Sequence, residues 1–441
     1  MEIPEGYNKE GLEGKVIKLC KAIYGLRQAG RQWYRKLKKA LKKFGLKQTA
    51  SDPHTFAVQK VVQGVRLTLI LPIYVDDLIP IGDKALTNDF EYWIRDYFEV
   101  TDPTDAEYFL GIRVHRDRKC DQPWLALDQH QFIKTIQSRF DVVKTKITVP
   151  ISTDFHAIPN PDPKEENDLE FTRLYQSKLG SLMYLMLGMR PNIAYAVGVL
   201  GRFASNPSSD HMTAIDRLFR YIDHTQDLCL VYTKQNGGKA IDPVGYVDSD
   251  LAGDIKTAKS TRGYVFFLGD AAFSWSSKLQ PTVASSTAEA EYISLYFGGQ
   301  QAAWLRNFYE ELYSPLDHPI QIYCDSQPAI TILKNEGNHA HSRYFHIRYH
   351  VVRERVENGE IEVEYIGTDS NIADILTKAL NGLKTSTAVD RMGLRDLNTV
   401  LYPEPTVQAA ELEQDASLYE DAKQDTSGFT LEDWKALTGT D

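Results

Sequence analysis

Between residues 244 and 380, short apolar segments alternate with longer amphipathic segments, and this alternation restricts the folds that the chain can adopt. The segments predicted to be strands are residues 244–247, 263–268, 273–276, 320–324 and 361–365. The segments predicted to be helices are residues 288–311, 328–335, 349–358 and 372–379. Strands and helices that alternate in this way predict an α/β domain with a mixed sheet.

Four acidic residues stand at the ends of these predicted elements. Asp248 and Asp325 each close a strand, whereas Glu291 and Asp374 lie in the first turns of helices. Strand ends and helix starts on one side of an α/β sheet converge in space, and four carboxylates that meet there cannot all stay ionised and unpaired. Hard divalent cations satisfy such a cluster, and two of them can hold a phosphodiester for hydrolysis. Any one of these residues alone would be an ordinary capping or surface carboxylate, so the hypothesis depends on the four together.

The N-terminal part of the sequence contains a basic amphipathic helix and a strand hairpin. Residues 27–44 carry apolar side chains at helical spacing among many lysines and arginines. This pattern is typical of a solvated helix, and its basic face would also suit a phosphate backbone. Apolar residues 65–73 and 78–81 flank Asp76 and Asp77, which predicts a hairpin with an Asp-Asp turn.

The remaining segments suggest a division of the chain. Helices are predicted at 89–98, 131–140, 175–187, 191–203 and 211–224, and a strand is predicted at 108–114. Residues 150–168 are rich in Pro, Asp and Asn and are typical of a linker, whereas the sequence from about 404 onward is acidic and poor in large apolar residues. We therefore expect units at 1–150, 151–240 and 241–390, followed by an acidic, largely disordered tail at 391–441.

Composition narrows the class of protein. The formal net charge of -10 argues against a generic binder of polyanions, although the acidic residues are concentrated near the end of the chain and the N-terminal segment is basic. The four cysteines have no metal-type spacing, which favours reduced thiols in an intracellular protein. Because no apolar run is long enough to span a bilayer, we expect no membrane partner.

The second half of the chain contains an ordered series of motifs, at residues 245–254, 259–266, 274–278, 280–284, 285–292, 324–330, 346–354 and 373–378. These motifs resemble the RNase H domain of copia-type LTR retrotransposon Pol polyproteins. They occur in the order that the family has. The resemblance implies an RNase H-like fold that hydrolyses RNA in RNA–DNA hybrids with Mg²⁺ or Mn²⁺.

The resemblance also implies a ligand set of Asp248, Glu291, Asp325 and Asp374. Two choices remain open, because Asp250 neighbours the first of these residues and Glu289 neighbours the second. Asp248 is favoured because it directly follows the apolar strand. Glu291 is favoured because the apolar residues that continue the helix begin immediately after it.

The first part of the chain resembles the palm of the same family's reverse transcriptase. The motif Tyr74-Val75-Asp76-Asp77 is the palm motif by this resemblance, and residues 24–34 resemble the entry to the palm helix. The resemblance makes Asp76 and Asp77 ligands of catalytic metal ions. The family places a further palm aspartate upstream of its Pro-Glu-Gly loop. Here Pro4-Glu5-Gly6 follows Met1 closely, so we expect the fingers and that aspartate to be missing and polymerase activity to be lost.

A basic and aromatic segment before the last strand is a candidate surface for the hybrid backbone. Its predicted nucleic-acid contacts are Arg343, His346, Arg348, His350 and Arg353. A solvated basic helix is the alternative interpretation of the same residues, and the histidine spacing alone does not make a zinc site.

Two hypotheses for the function follow. The first is a metal-dependent RNase H with a silent palm remnant, acting on nucleic acid together with other Pol-derived chains, in cytoplasmic virus-like particles or in the nucleus. The second is a decayed, catalytically inactive fragment that at most binds nucleic acid. The presence of all four acidic residues favours the enzyme.

Overall fold

Three five-stranded sheets organise the chain in the computed structural model, which describes residues 16–23, 25–120, 122–160, 169–233, 242–334 and 343–402. Within these residues, helices pack against the sheets and against one another. This mixture of helices and sheets confirms the predicted α/β class. No helix in the described part of the chain combines the length and the apolar character needed to cross a membrane.

The first sheet belongs to the N-terminal part of the chain. Its elements are α1 (Ala29–Phe44), β1 (Lys47–Gln48), β2 (Thr55–Val62), β3 (Val65–Tyr74), β4 (Asp77–Leu78), β5 (Ile81–Gly82) and α2 (Lys84–Arg95). The apolar faces of α1 and α2 share one core with β2 and β3, which includes Leu41, Phe56 and Phe90. The basic helix and the hairpin are therefore present as predicted. The second helix begins earlier than residue 89, because the Asp83 carbonyl already accepts a hydrogen bond from the Thr87 N–H.

The middle of the chain combines helices with an antiparallel sheet. Its elements are β6 (Tyr108–Phe109), β7 (Ile112–Asp117), β8 (Trp124–Asp128), α3 (His130–Arg139), α4 (Leu169–Gly188), α5 (Ala194–Gly201), α6 (Ser209–His224) and β9 (Leu228–Thr233). The predicted strand at 108–114 is wrong as a single element. Leu110 and Gly111 both have positive φ values, 51° and 76°, and turn the chain into a hairpin.

The second half of the described chain contains a mixed sheet. Its elements are β10 (Val244–Asp250), β11 (Thr261–Leu268), β12 (Ala271–Leu279), α7 (Thr287–Leu312), β13 (Ile320–Cys324), α8 (Gln327–Lys334), α9 (Arg343–Glu357), β14 (Ile361–Tyr365), α10 (Gly382–Arg391), β15 (Leu394–Asp396) and α11 (Leu397–Leu401). The strand order is β12-β11-β10-β13-β14. The first three strands are antiparallel, whereas β10, β13 and β14 are parallel. The mixed sheet predicted from the sequence is therefore present.

Regular secondary structure extends beyond residue 390, where the sequence predicted the start of a largely disordered tail. Residues 391–402, which we assigned to the tail, contain β15 and α11, and β15 pairs with β9. The resulting sheet, β15-β9-β8-β7-β6, takes strands from three of the predicted units, 1–150, 151–240 and 391–441. The predicted helix at 372–379 is instead a 3-10 helix, Ile372–Leu376. Most of the acidic tail and part of the predicted linker lie outside the described residues.

A fully buried arginine marks the junction between α4 and α5. Arg190 and Asn192 are each 1% exposed. The guanidinium donates to the Thr225 carbonyl and hydroxyl and to the Asn192 side-chain oxygen, and it lies 5.8 Å from the centre of the Tyr221 ring. In the described part of the chain it pairs with no carboxylate. Burial lowers the pKa of Arg190, so the charged guanidinium is held at a cost to the fold.

We expect Asn192→Asp to stabilise the protein. The new carboxylate can accept from Arg190 with one oxygen and from the Tyr221 hydroxyl with the other, because Asn192 already lies 3.1 Å and 2.7 Å from these groups. Pairing the buried charge should raise the free energy of unfolding by roughly 1–3 kcal/mol. Thermal and urea denaturation of the two proteins measure the change. The exposed Asn88→Asp variant adds the same charge and should leave stability nearly unchanged; equal midpoints for all three proteins would contradict the expectation.

Candidate active site

Asp248 lies near the end of β10 and is 2% exposed. Its neighbour on β11 is Gly263, which has no side chain. A Cβ atom at position 263 would lie 2.8 Å from the Thr377 methyl group and 2.9 Å from the Leu376 Cβ atom. Glycine at this position therefore lets residues 372–378 pack directly against the sheet, and the Thr377 hydroxyl donates a hydrogen bond to Asp248.

Asp374 reaches the same place from the 3-10 helix Ile372–Leu376. The side chain of Asn371 fixes the start of this helix, because its oxygen accepts from the Ala373 N–H and its nitrogen donates to the Val247 carbonyl at 2.9 Å. This second bond ties the helix to the residue directly before Asp248. The two carboxylates are thus positioned by one shared set of contacts.

Asp325 directly follows β13, the parallel neighbour of β10. Because the carboxyl ends of parallel strands meet at one edge of a sheet, the Asp325 side chain lies beside Asp248. One carboxylate oxygen each from Asp248, Asp325 and Asp374 lies within 4.8 Å of the others.

Glu291 approaches from the first turns of α7. This helix begins after Ser286, whose hydroxyl accepts from the Glu289 N–H. Gly298 lets the helix lie close to the sheet, since a Cβ atom there would meet the Val247 side chain at 2.5 Å. Glu291 is consequently buried, and ligand atoms of Glu291, Asp325 and Cys324 lie within 4.8 Å of one another. Its Oε2 atom is buried without a hydrogen-bond partner among the described residues.

Among the described residues, Lys378 forms the ion pairs that offset part of this negative charge. The Lys378 ammonium lies 2.9 Å from Asp374 Oδ1 and 4.0 Å from Asp248 Oδ2. Burial lowers the pKa of Lys378, but the carboxylates of Asp248, Asp374 and Asp325 outweigh burial and raise it. One ammonium does not balance the four carboxylates, so the cluster keeps an excess of negative charge.

The carboxylates respond with raised pKa values. Burial, together with Asp374 and Asp325, raises the pKa of Asp248 to about 6, against the lowering effect of Lys378 and Thr377. Burial, followed by the charges of Asp248 and Asp325, raises the pKa of Glu291 well above its ordinary value. Burial and Asp325 likewise raise the pKa of Asp374. Buried, closely spaced oxygen ligands of this kind fit a hard divalent cation such as Mg²⁺ or Mn²⁺.

The geometry distinguishes the alternatives left open by the sequence. Asp248 and Glu291 belong to the two groups of converging ligand atoms, whereas Asp250 and Glu289 belong to neither. The Glu289 carboxylate instead accepts from the backbone N–H and the hydroxyl of Ser285, which is a structural role at the start of α7. Position thus favours Asp248 and Glu291 as ligands; their chemical roles stay predictions.

The hairpin that carries Asp76 and Asp77 has the predicted shape. Tyr74 pairs with Asp77, and Val75 has a φ of 56° at the turn, where its carbonyl accepts from the Trp33 indole at 2.6 Å. Both aspartates are exposed. Among the described residues, no third acidic or histidine side chain joins them in a group that could hold a metal.

The predicted nucleic-acid residues on α9 have different surroundings. Arg348 donates to the Thr282 hydroxyl at 3.2 Å and lies over the Tyr296 ring. Arg353 donates to the Leu333 and Ile332 carbonyls, which ties α9 to α8, and it lies over the ring of Tyr349 on its own helix. His350 is exposed. The side chains of Arg343 and His346 lie outside the described residues.

Three residues that support the carboxylates were not recognised as functional from the sequence. They are Asn371, Thr377 and Lys378, which orient or neutralise Asp248 and Asp374. Two of them lie within the matching segment 373–378, so the motif itself contained the signal. Their roles depend on contacts between distant segments and require the fold to be known.

Comparisons with known proteins relate this chain to retrotransposon Pol proteins. Residues 1–153 match the family described as reverse transcriptase (RNA-dependent DNA polymerase). The chain is 37% identical over 400 residues to the retrovirus-related Pol polyprotein from transposon TNT 1-94 of Nicotiana tabacum, which covers 89% of this chain and 29% of that protein. It is 32% identical over 395 residues to the corresponding polyprotein from transposon RE1 of Arabidopsis thaliana, covering 89% of this chain and 26% of the relative.

A shorter relative matches more strongly over a smaller region. Secreted RxLR effector protein 161 of Plasmopara viticola is 46% identical over 131 residues, which are 30% of this chain and 90% of that protein. The two polyproteins are much longer than this chain, which spans less than a third of either.

The carboxylate cluster should make stability depend on pH and on divalent cations. Raised pKa values mean that the folded chain binds protons more tightly than the unfolded chain. Proton binding therefore stabilises the fold at low pH, and this contribution is lost as the pH rises through about 6. Without metal, we expect the thermal midpoint to fall between roughly pH 5 and pH 7.5, and millimolar Mg²⁺ to reverse the fall.

Two variants test whether this effect comes from the cluster. Asp248→Asn should raise the metal-free midpoint at neutral pH and weaken the response to Mg²⁺. Asp77→Asn removes an exposed carboxylate outside the cluster and should behave like the unmodified protein. A midpoint that responds to neither pH nor Mg²⁺ would contradict the expectation.

Proposed function

Because the chain belongs to the copia-type family of retrotransposon Pol polyproteins, we propose that it is a metal-dependent RNase H that cleaves RNA in RNA–DNA hybrids. The family relationship makes it a nucleic-acid-processing protein of the reverse transcriptase kind. The RNase H reaction, the hybrid substrate and the cytoplasmic or nuclear setting belong to the proposal, since the chain matches only part of each long relative.

The observation that carries the proposal is the convergence of Asp248, Glu291, Asp325 and Asp374 at one end of the mixed sheet. The raised pKa values mean that the metal-free fold is less stable than it would be without the charges. A cluster that destabilises the folded protein has no structural purpose, and a requirement for bound metal explains it.

Each residue of the carboxylate site has its own role in the proposed reaction. Asp248, Glu291, Asp325 and Asp374 would hold Mg²⁺ or Mn²⁺, which supplies charge stabilisation of the phosphodiester and lowers the pKa of water. Thr377 orients Asp248 through its hydroxyl. Lys378 neutralises part of the charge on Asp374. An RNA strand is recognised by its shape and its 2′-hydroxyl groups.

Cleavage of a labelled RNA–DNA hybrid by the purified chain tests the proposal. With Mg²⁺ or Mn²⁺ we expect cutting of the RNA strand only, and chelation of the metal should abolish it. Asp325→Asn, which keeps the shape of the side chain, should slow cutting on the order of 100-fold or more, because a metal ligand is lost.

The control for this experiment is Asp77→Asn, which should cut at the rate of the unmodified chain. Circular dichroism of each variant shows whether it has folded. If the folded, unmodified chain did not cut the hybrid with either metal, the inactive fragment that only binds nucleic acid would become the better description.

We propose further that this chain alone does not polymerise DNA. Nucleotidyl transfer uses two metal ions held by several carboxylates, and in the described residues Asp76 and Asp77 have no third carboxylate nearby. A separate Pol-derived chain that supplied the missing ligand would restore the site, which makes such a chain a candidate partner.

Primer extension on an RNA template tests this second proposal. We expect no incorporation of nucleotides by the purified chain in Mg²⁺ or Mn²⁺. The Asp76→Asn variant provides the background. Incorporation that this substitution abolished would show that the palm hairpin is active in the isolated chain.

A further inference from the structure

Three cations lie together beside the carboxylate cluster, on the side of the sheet covered by α7. Arg262 on β11 pairs with Lys278 on β12, and residues directly opposite one another in antiparallel strands point to the same face. Arg348 on α9 approaches the same place, where it donates to the Thr282 hydroxyl three residues after the end of β12. Like charges directly across a sheet destabilise it unless an anion offsets them.

The described residues provide no carboxylate in an ion pair with any of these three cations. Among the ion pairs of the described residues, none includes Arg262, Lys278 or Arg348. The Nε atom of Arg262 is buried and has no hydrogen-bond partner in this part of the structure. Burial and the nearby charge of Arg348 lower the pKa of Arg262. The guanidinium is therefore held where its charge is poorly compensated.

Aromatic rings hold both guanidinium groups in place. Arg262 lies 3.5 Å from the centre of the Phe297 ring, and Arg348 lies 5.8 Å from the centre of the Tyr296 ring. A ring that covers the flat face of a guanidinium leaves the N–H groups at its edge available, and these groups match the oxygens of a phosphate. Phe297 packs in turn against a buried cluster of Ala284, Ala290 and Ile293, and Ala290 directly precedes Glu291.

The three cations lie close enough to the carboxylate cluster for one bound nucleic-acid strand to reach both. Arg262 directly precedes Gly263, the partner of Asp248 on the neighbouring strand. Phe297 lies six residues after Glu291 on α7, a rise of about 9 Å along the helix. The cations are thus close to the proposed cleavage site without contacting the metal ligands.

We propose that Arg262, Lys278 and Arg348 form a phosphate subsite for the backbone of the bound nucleic acid. This inference rests on the proposed function and adds the residues that hold the substrate strand beside the cleavage site. Bidentate pairing of arginine with a phosphate supplies both attraction and orientation. Each phosphate that is neutralised also releases counterions, which makes binding depend on salt.

The test measures binding, not cleavage, so that it remains informative if the chain does not cut. A fluorescent RNA–DNA hybrid is titrated with the Asp325→Asn chain in the absence of metal, at several salt concentrations. In this background, Arg262→Met with Arg348→Met should weaken binding of the hybrid on the order of 10- to 100-fold. The salt dependence of binding should show about one or two fewer counterions released. Methionine keeps an apolar side chain on each ring, which protects the packing.

Two further variants serve as controls. One separates the contribution of charge from that of bidentate pairing, and the other measures the effect of removing an arginine elsewhere on the surface. Arg262→Lys with Arg348→Lys keeps the charges and should retain the salt dependence while losing part of the affinity, because lysine cannot pair in a bidentate way. Arg95→Gln removes one exposed arginine that pairs with Asp102, and it should leave affinity nearly unchanged.

The outcomes are distinguishable. Loss of affinity and of salt dependence in the methionine variant supports the subsite even if the unmodified chain cuts no hybrid. A methionine variant that is less stable in thermal unfolding but binds as before would show that the arginines only pack on the rings, and would overturn the inference. Stabilisation by inorganic phosphate at constant ionic strength, with unchanged binding of the hybrid, would also overturn it, because the site would then take a free anion.

Discussion

Repulsion among buried carboxylates is the constraint around which the second half of the chain is built. Asp248, Asp325 and Asp374 are held within reach of a single ion, and the fold resists their separation. Small residues permit this arrangement, since Gly263 admits the 3-10 helix and Gly298 admits α7. Asn371 and Thr377 then fix the positions by hydrogen bonds. Each of these contacts works against a charge repulsion that would be relieved if the elements moved apart.

Helix α7 connects this cluster to the N-terminal sheet. Glu291 lies near its start, and near its end the Glu311 carboxylate accepts from the backbone N–H groups of Ala50 and Ser51 at 2.6 Å and 3.2 Å. The Trp304 indole donates to the Ser51 carbonyl at 3.1 Å. The helix has 26 residues and so spans about 39 Å. The distance between the carboxylate cluster and the palm-like sheet is therefore set by one continuous, rigid element.

Much of the mixed sheet could be predicted because its signals are local. β13 and β14 have the bounds expected from their apolar runs, and the acidic residues at element ends indicated where a site would lie. The strand β9 was missed because its pairing with β15 joins residues more than 160 positions apart, which no local pattern records. The 3-10 helix Ile372–Leu376 was mistaken for an α-helix because its geometry depends on Asn371 bonding to β10. Local periodicity predicts elements, whereas long-range hydrogen bonds decide how they end and which side chains support the site.

The contrast between two buried polar clusters bears on the choice between an enzyme and an inactive fragment. At Arg190 the side-chain acceptors are the neutral groups of Asn192 and Thr225, so the structure tolerates a buried charge that has no carboxylate partner among the described residues. At the carboxylate cluster the situation is reversed, since more negative charge is present than the fold can neutralise. Replacing any one of those acids by a neutral residue would relieve repulsion and stabilise the metal-free protein. A chain released from function would have no physical reason to keep all four, so their joint presence supports a bound metal and the chemistry that it allows.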